Sequence, residues 1–311
     1  MYTRSETKTI KGPIHNLFLF ALYTGTPILE YYIIIPAHNE EAFLEEALKS
    51  IVSQELPPKK VVVVNDHSND GTANIIDSFS AQYSFVEGIH NTSSDEHMPG
   101  SKVVAAFNKG LSKVDDAYDF IVKLDADIVL PHDYFGRIAA IFSTSKDIGI
   151  AGGFAYEQNE KGQWELNHPM DKDHVRGAFK SYSKACFKAM GGLRTAMGWD
   201  TVDELLAKYH GYQVVTDTSL KVKHRRPIGA AYNKKARRSQ GQAMYLMRYG
   251  FLISLIASFK MAWKNRKIEI IRDNLAGYLQ AKANTTPFIV SVDEGLFIRQ
   301  LRWQNIRKKL I

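Results

Sequence analysis

The segment VVVVNDHSNDGT, residues 61–72, decides how the first half of this chain is read. Four consecutive valines form an apolar, β-branched run with no polar alternation. Such a run marks a strand buried on both faces, as in a parallel sheet. The polar residues that follow are turn formers, and they place Asn65 and Asp66 at the carboxyl end of the strand. A short helix then runs from about Ala73 to Phe79. Upstream, YYIII at 31–35 is a second run of the same kind, stopping at Pro36, and a helix follows with Leu44, Ala47, Leu48, Ile51 and Val52 on one face. Downstream, FVEGI at 85–89 is a weaker strand, Val103, Phe107, Leu111 and Val114 mark a helix, and FIVKL at 120–124 is a strand again. Strands that alternate with helices imply right-handed crossovers and a parallel sheet, an α/β core of the nucleotide-binding type.

In such a sheet ligands bind outside the carboxyl ends of the strands. Three polar segments fall there. In IIIPAHNEE, residues 33–41, Asn39 is placed to cap the following helix. The second is the turn after Val64, with Asp66, Asp70, Gly71 and Thr72. The third is LDAD at 124–127, where Asp125 and Asp127 point the same way because strand side chains alternate. Two carboxylates so close raise each other's pKa unless something neutralises them. An Asp-x-Asp triplet alone is common; as the third polar strand end of one sheet it carries weight.

Beyond residue 150 the rhythm loosens. Gly152-Gly153, Gly177 and Gly191-Gly192 punctuate short strands and turns. A helix follows Asp200, with Val202, Leu205, Leu206 and Tyr209 inward, and ends at Gly211. YQVVT and LKVK read as two short strands before HRRP at 224–227. After Gly229 the chain is helical and basic. Residues 240–263 carry Met244, Met247, Phe251, Leu252, Leu255, Phe259 and Trp263 on one broad apolar face. Packing on the body accounts for that face. The alternative is an interfacial helix whose Lys260, Lys264, Arg266 and Lys267 meet lipid headgroups.

Composition narrows the class. Over 311 residues, 45% hydrophobic and 23% charged residues are ordinary for a globular enzyme. The single Cys186 excludes an internal disulfide framework and suits a reducing cytoplasm. The net charge of +7 is divided: residues 1–220 carry 20 Lys+Arg against 29 Asp+Glu, and residues 221–311 carry 20 against 4. An acidic body with a basic end points to an anionic partner near the C-terminus. No apolar run reaches the ~18–20 residues of a spanning helix. Arg4, Lys8 and Lys11 before LFLFAL at 17–22 superficially resemble a signal peptide, but the apolar stretch is short and lacks a small-residue cleavage pattern. The expected location is cytoplasmic, with contact at the inner face of the membrane through the basic end.

Taken together, IIIPAHNEE, VVVVNDHSNDGT and VKLDADIVLP resemble the nucleotide-sugar-dependent glycosyltransferases of family 2, which have the GT-A fold; the likeness runs from about residue 31 to 229. The division it implies is an N-terminal extension, 1–30, a GT-A catalytic domain, 31–229, and a basic helical C-terminal region, 230–311. The resemblance implies that Pro36, Ala37, Asn39 and Glu40 line the nucleoside pocket and that Asp66 contacts the base. Asp125, with Ala126 beside it, would meet the ribose or metal, and Asp127 would hold a divalent cation bridging the sugar diphosphate. Mg²⁺ or Mn²⁺ suits carboxylate oxygens and would keep the pair ionised. Lys102, Asn108 and Gly110 match a segment near the nucleotide, and Gly177 and Gly191-Gly192 match glycines on the acceptor side.

Many members carry a Glu-Asp pair before a helix ending in Gly-Tyr. Here GWDTVDELLAKYHGY at 198–212 places Asp200 on the Asp, with Trp199 replacing the Glu. Asp200 is therefore the expected base, although an Asp there also suits a helix N-cap, and Asp203 and Glu204 are its rivals. His224 is a further metal ligand on the same grounds, and Arg226 a partner for the diphosphate, while Arg225 is equally suited to solvent. The Gln-x-x-Arg-Trp of processive synthases is missing, since Gln240 precedes Gly241, Gln242, Ala243 and Met244. One sugar per encounter is expected, passed to a saccharide or lipid-linked acceptor.

Rival readings fit less well. A sugar-phosphate nucleotidyltransferase needs a Gly-rich basic loop where PAHNEE is acidic. A dinucleotide-dependent oxidoreductase needs G-x-G-x-x-G there. Nucleic acid is not the expected partner of the basic end, whose aromatics follow helical spacing.

Overall fold

The computed structural model describes residues 29–91, 101–166, 174–226 and 234–308. The signal-like segment with Arg4, Lys8, Lys11 and residues 17–22, and the residues from Pro227 to Gly229, lie outside the described residues. Four strands, β1 (Tyr31–Ala37), β2 (Lys60–Asp66), β3 (Val86–Asn91) and β4 (Phe120–Leu124), lie side by side in the order β3-β2-β1-β4. All three pairings are parallel. Val61 to Val64 and Ile33 to Ile35 have no exposed surface, as an apolar run without alternation requires. Helices α1 (Leu44–Val52), α2 (Thr72–Gln82) and α3 (Ser101–Leu111) make the crossovers. Gly110 sits where a Cβ would lie 2.6 Å from Ile34 Cγ2, so the absence of a side chain lets α3 rest on the sheet.

The second half is β5 (Ile128–Val129), α4 (Tyr134–Thr144), β6 (Ile148–Gln158), β7 (Trp164–Leu166), β8 (Phe179–Ser183), α5 (Lys184–Ala189), α6 (Trp199–Tyr209) and β9 (Gln213–His224). These strands extend the same sheet as β4-β8-β6-β9-β5, with β7 on β6. The sheet is therefore mixed, because β8 runs antiparallel to β4 and β6, and β5 antiparallel to β9.

Three local expectations change. β1 continues through Pro36 to Ala37, in register with Val64 and Asn65. Its pairing with β4 ends at Ile34, so Pro36 is paired on the β2 side alone. YQVVT and LKVK belong to one long strand, β9, whose irregularity lies in its register shift against Gly152 and Phe154. The stretch 240–263 is two helices, α7 (Lys234–Leu246) and α8 (Phe251–Asn265). Arg248 and Gly250, both at positive φ, turn the chain between them.

Two further helices, α9 (Glu269–Ala283) and α10 (Val292–Lys308), complete the C-terminal part. α7 and α9 cross with their backbones in contact: a Cβ on Gly241 would lie 1.8 Å from the Asn274 carbonyl oxygen, and one on Gly277 1.9 Å from that of Arg238. The bundle leans on the α/β core through Ala243, 3.5 Å from the Cβ position of Gly198, and through Phe297, whose ring lies 5.5 Å from that of Tyr209. Among the described residues, no helix is long and apolar enough to cross a membrane.

Candidate active site

Parallel pairing brings the carboxyl ends of β2, β1 and β4 to one rim. There the loops after β1 and β2 are stitched together. The Asn39 N–H donates to Ser68 Oγ at 2.9 Å, and the Asn69 N–H donates to Asn39 Oδ1 at 2.9 Å. Asn39 thus ties the two loops, at φ 55°, and does not cap α1, whose N-cap is Phe43 with no side-chain bond. Asp70 accepts from the Thr72 N–H at 3.0 Å and from the Glu41 N–H at 3.2 Å. Burial works against its charge, but these hydrogen bonds prevail and its pKa is lowered. Asp66 is buried at the end of β2, where Asn91 Nδ2 donates to it at 3.4 Å.

The acidic pair after β4 is divided between two partners. Asp125 forms an ion pair with Lys123, which is itself buried with its Nζ 4.9 Å from the centre of the Trp199 ring. Burial still raises the Asp125 pKa, Asp127 adds to that, and Lys123 opposes it. Within the protein, then, Lys123 supplies the positive charge that the sequence reading assigned to a cation. Ala126 is buried between the two carboxylates.

Asp127 lies 3.2 Å from His224 Nε2 and 3.8 Å from Arg226 Nε. The pairing of β5 with β9 sets Ile128 opposite His224, and the Arg225 N–H donates to the Asp127 carbonyl at 2.9 Å. Arg226 also bonds Glu40 at 2.5 Å across 186 residues. Burial pushes the Glu40 carboxyl up to about 7; Arg226 opposes this, and Asp127 and Asp125 reinforce it. Arg225 is not solvated alone: it pairs with Glu46 at 3.0 Å. Lys102 is half-buried in the first turn of α3, and no contact joins it to either acidic cluster among the described residues.

Asp127 Oδ1 is buried without a hydrogen-bond partner, while His224 Nδ1, equally buried, faces Glu157 Oε1 at 3.6 Å. A buried carboxylate oxygen left unbonded beside an imidazole fits a divalent cation, which takes both donor types. Among the described residues, no three His, Cys, Asp or Glu side chains form a complete cage as they stand.

On the other side of β4, the Asp125 N–H donates to the Ala178 carbonyl at 2.7 Å. Gly177 lies against the start of α6, where a Cβ would come 2.9 Å from Asp200 Cβ and 3.0 Å from the Trp199 ring. Asp200 is in the first turn of α6; the N-cap is Gly198 at φ 78°, so capping does not explain Asp200. Its carboxylate makes no hydrogen bond or ion pair among the described residues and is half-buried.

Asp203 and Glu204 differ. Lys180, fully buried on β8, reaches Asp203 at 2.9 and 3.0 Å, Glu204 at 3.0 Å and the Asp200 carbonyl at 2.5 Å. The Tyr182 hydroxyl donates to Asp203 at 2.6 Å, and the Val175 N–H donates to Glu204 at 3.0 Å. Burial pushes Asp203 up to about 7 despite Lys180. Glu204 is also buried, but Lys180 and His174 prevail and its pKa is lowered. Both carboxylates tie α6 to β8 through Lys180. Lys123 and Lys180, which the sequence reading passed over, left one signal: each is a lone lysine inside an otherwise buried strand.

Residues 32–196 match the model of glycosyl transferase family 2. The chain belongs to this family. Among curated relatives, the poly-beta-1,6-N-acetyl-D-glucosamine synthase of Staphylococcus epidermidis is 30% identical over 120 residues, 39% of this chain and 27% of the synthase. The other curated relatives matched first are also spanned over less than a third of their length. Among solved structures, S. aureus TarS 1-349 in complex with UDP-GlcNAc aligns with a TM-score of 0.53 at 16% identity, over 70% of this chain and 67% of that one. The mannosyltransferase PcManGT from Pyrobaculum calidifontis, in complex with GDP-Man and Mn2+, aligns with a TM-score of 0.51 at 14% identity, over 93% of this chain and 91% of that one. The fold of this family 2 chain is that of the GT-A glycosyltransferases.

Proposed function

We propose that this protein moves one sugar from a nucleotide diphosphate sugar to an acceptor hydroxyl with inversion, and that Asp200 is the base. The observation that carries this reading is the contrast along α6: Lys180 forms ion pairs with Asp203 and Glu204, whereas the Asp200 carboxylate, next to Gly177 beside the end of β4, makes no hydrogen bond or ion pair among the described residues. Asp200 takes the acceptor proton as the acceptor oxygen bonds to the anomeric carbon. The bond from that carbon to the diphosphate oxygen breaks on the opposite face, and its electrons leave with the nucleotide. The loops that Asn39 joins form the nucleoside side, with Pro36, Ala37 and Asp66. Arg226, drawn from Glu40, meets the diphosphate. Asp127 and His224 would hold Mg²⁺ or Mn²⁺, which when bound neutralises charge on the departing diphosphate.

Purified protein with Mn²⁺ and a panel of nucleotide sugars should transfer or hydrolyse one of them. Asp200→Asn should abolish transfer while nucleotide affinity, read by thermal shift, stays near wild type. Retention of transfer by that variant refutes the base assignment.

The acceptor is read as a saccharide or lipid-linked saccharide, reached from the membrane surface. The support is α8, where Leu252, Phe259 and Trp263 face solvent, Trp263 at 90% exposure, with Lys264, Arg266 and Lys267 at its end. A basic, apolar face of this kind suits the inner leaflet. Vesicles containing phosphatidylglycerol should sediment the protein, and Phe259→Asp with Trp263→Asp should leave it in the supernatant. Equal sedimentation of both proteins would overturn the membrane contact.

A further inference from the structure

Past the crossing at Gly241 and Gly277, α7 and α9 enclose a cleft of 560 Å³ that none of the proposed chemistry uses. Lys234, Lys235 and Arg238 line it from α7, Gln280 and Ala281 from α9, and Asn284 from just past its end. Gly277 forms part of the wall, at the point where α9 rests on the Arg238 backbone. The basic run KKARR at 234–238 is sorted by the helix. Arg237 turns inward and pairs at 2.7 Å with Asp273, which is buried. The other three cations face the cleft, whose lining contains no carboxylate among the described residues. Three like charges that form no ion pair among the described residues repel one another, and their arrangement is favourable when an anion lies between them. Ser239, Gln242 and Thr286 complete the lining with groups that both donate and accept hydrogen bonds, as hydroxyl-rich ligands require.

α7 also connects the cleft to the segment that carries Asp200. Ala243 packs against Gly198, two residues before Asp200. Nine helical residues separate Lys234 from Ala243, a rise of ~14 Å. We propose that this cleft binds a phosphate group of the acceptor, several units from the attacking hydroxyl, so that the acceptor lies along α7 with its reactive end at Asp200. The assignment rests on the transferase reading for its purpose, but its test needs no turnover. The phosphate could be a phosphodiester within the acceptor or the diphosphate of a lipid carrier; the chemistry recognised is the same.

The experiment measures binding of two probes to the full chain by calorimetry: a glycerol-phosphate oligomer linked by phosphodiesters, and farnesyl diphosphate. An uncharged maltooligosaccharide and single-stranded RNA serve as comparisons. At least one phosphate probe should bind, with affinity that falls as salt rises, and Lys235→Glu with Arg238→Glu should weaken it about tenfold or more. Lys235→Arg with Arg238→Lys should retain binding, which guards against a folding defect, and whichever probe binds identifies the source. Arg226→Ala should not alter it. The proposal is overturned if the charge-reversed protein binds as wild type does, if Arg226→Ala abolishes binding equally, or if RNA or the neutral sugar binds as tightly. Transfer activity absent with cleft binding intact would count against the reaction and not against the cleft.

Discussion

Replacing Lys180 by Met tests the organisation of α6 most directly. The substitution keeps an unbranched chain of similar length but removes three charge-assisted contacts, two to Asp203 and one to Glu204, and the bond to the Asp200 carbonyl. Removing one partner of a buried ionic cluster costs ~3–5 kcal/mol, because the remaining charges stay desolvated. The Tyr182 hydroxyl still bonds Asp203, and the Val175 N–H still bonds Glu204, so the lower end applies, ~3 kcal/mol. At ~2 °C per kcal/mol for a domain of this size, Tm should fall by ~6 °C.

The loss should depend on pH, with a definite sign. Asp203 already sits at about 7 in the folded wild type, through burial that Lys180 opposes. Without Lys180 it rises further, and Glu204 rises with it. In the window between each wild-type pKa and its value in the variant, the variant's folded state holds more protons than the wild type's. The gap in stability therefore widens by up to ~1.4 kcal/mol per titrating group for each pH unit gained. Urea unfolding of both proteins from pH 5 to pH 9, followed by circular dichroism, measures this directly. A loss below ~1 kcal/mol, or one that stays flat with pH, would refute the argument that Lys180 holds charged carboxylates.

Three further outcomes are expected. Gly177→Ala forces a methyl group to within 2.9 Å of Asp200 Cβ, so it should cost ~1–3 kcal/mol and lower kcat more than it raises KM for the donor; an unchanged kcat would show that Asp200 tolerates displacement. Gly241→Ala meets a backbone oxygen that cannot turn aside, so it should lower Tm by more than Gly136→Ala, where a Cβ meets nothing within 4 Å. Cys186, pushed up to about 12 by burial with Asp203 adding to the effect, should resist thiol reagents at pH 8 until the protein is unfolded; rapid labelling of the native protein would contradict its burial.

The parallel half of the fold was legible because Val61 to Val64 and Ile33 to Ile35 admit no solvent-facing side, and a run of that kind has few other places to go. The antiparallel course of β8 was not, since nothing in FKSYS distinguishes the two directions. The break between α7 and α8 was hidden by continuous helical spacing, which Arg248 and Gly250 interrupt through backbone conformation alone. Side-chain placement was less accessible still. Asn39 satisfies the rules for a cap yet bonds a loop 30 residues away, because that loop's N–H groups are nearer than those of the helix. Asp203 and Glu204 could be told apart from Asp200 only once Lys180 was seen to arrive from another strand.

The short pairing of β5 with β9 has a consequence for how such a chain tolerates change. Asp127 and His224 are separated by 97 residues, yet their separation in space is set by a two-residue ladder, Ile128 opposite His224 and Val129 opposite Lys223. Insertions or deletions in the intervening loops, around Gly162 for instance, can lengthen or shorten the path without moving either end. A single-residue slip of that ladder would separate the two side chains at once. Variation in the connecting segments is therefore cheap, and the two rungs are where natural variation should be scarcest.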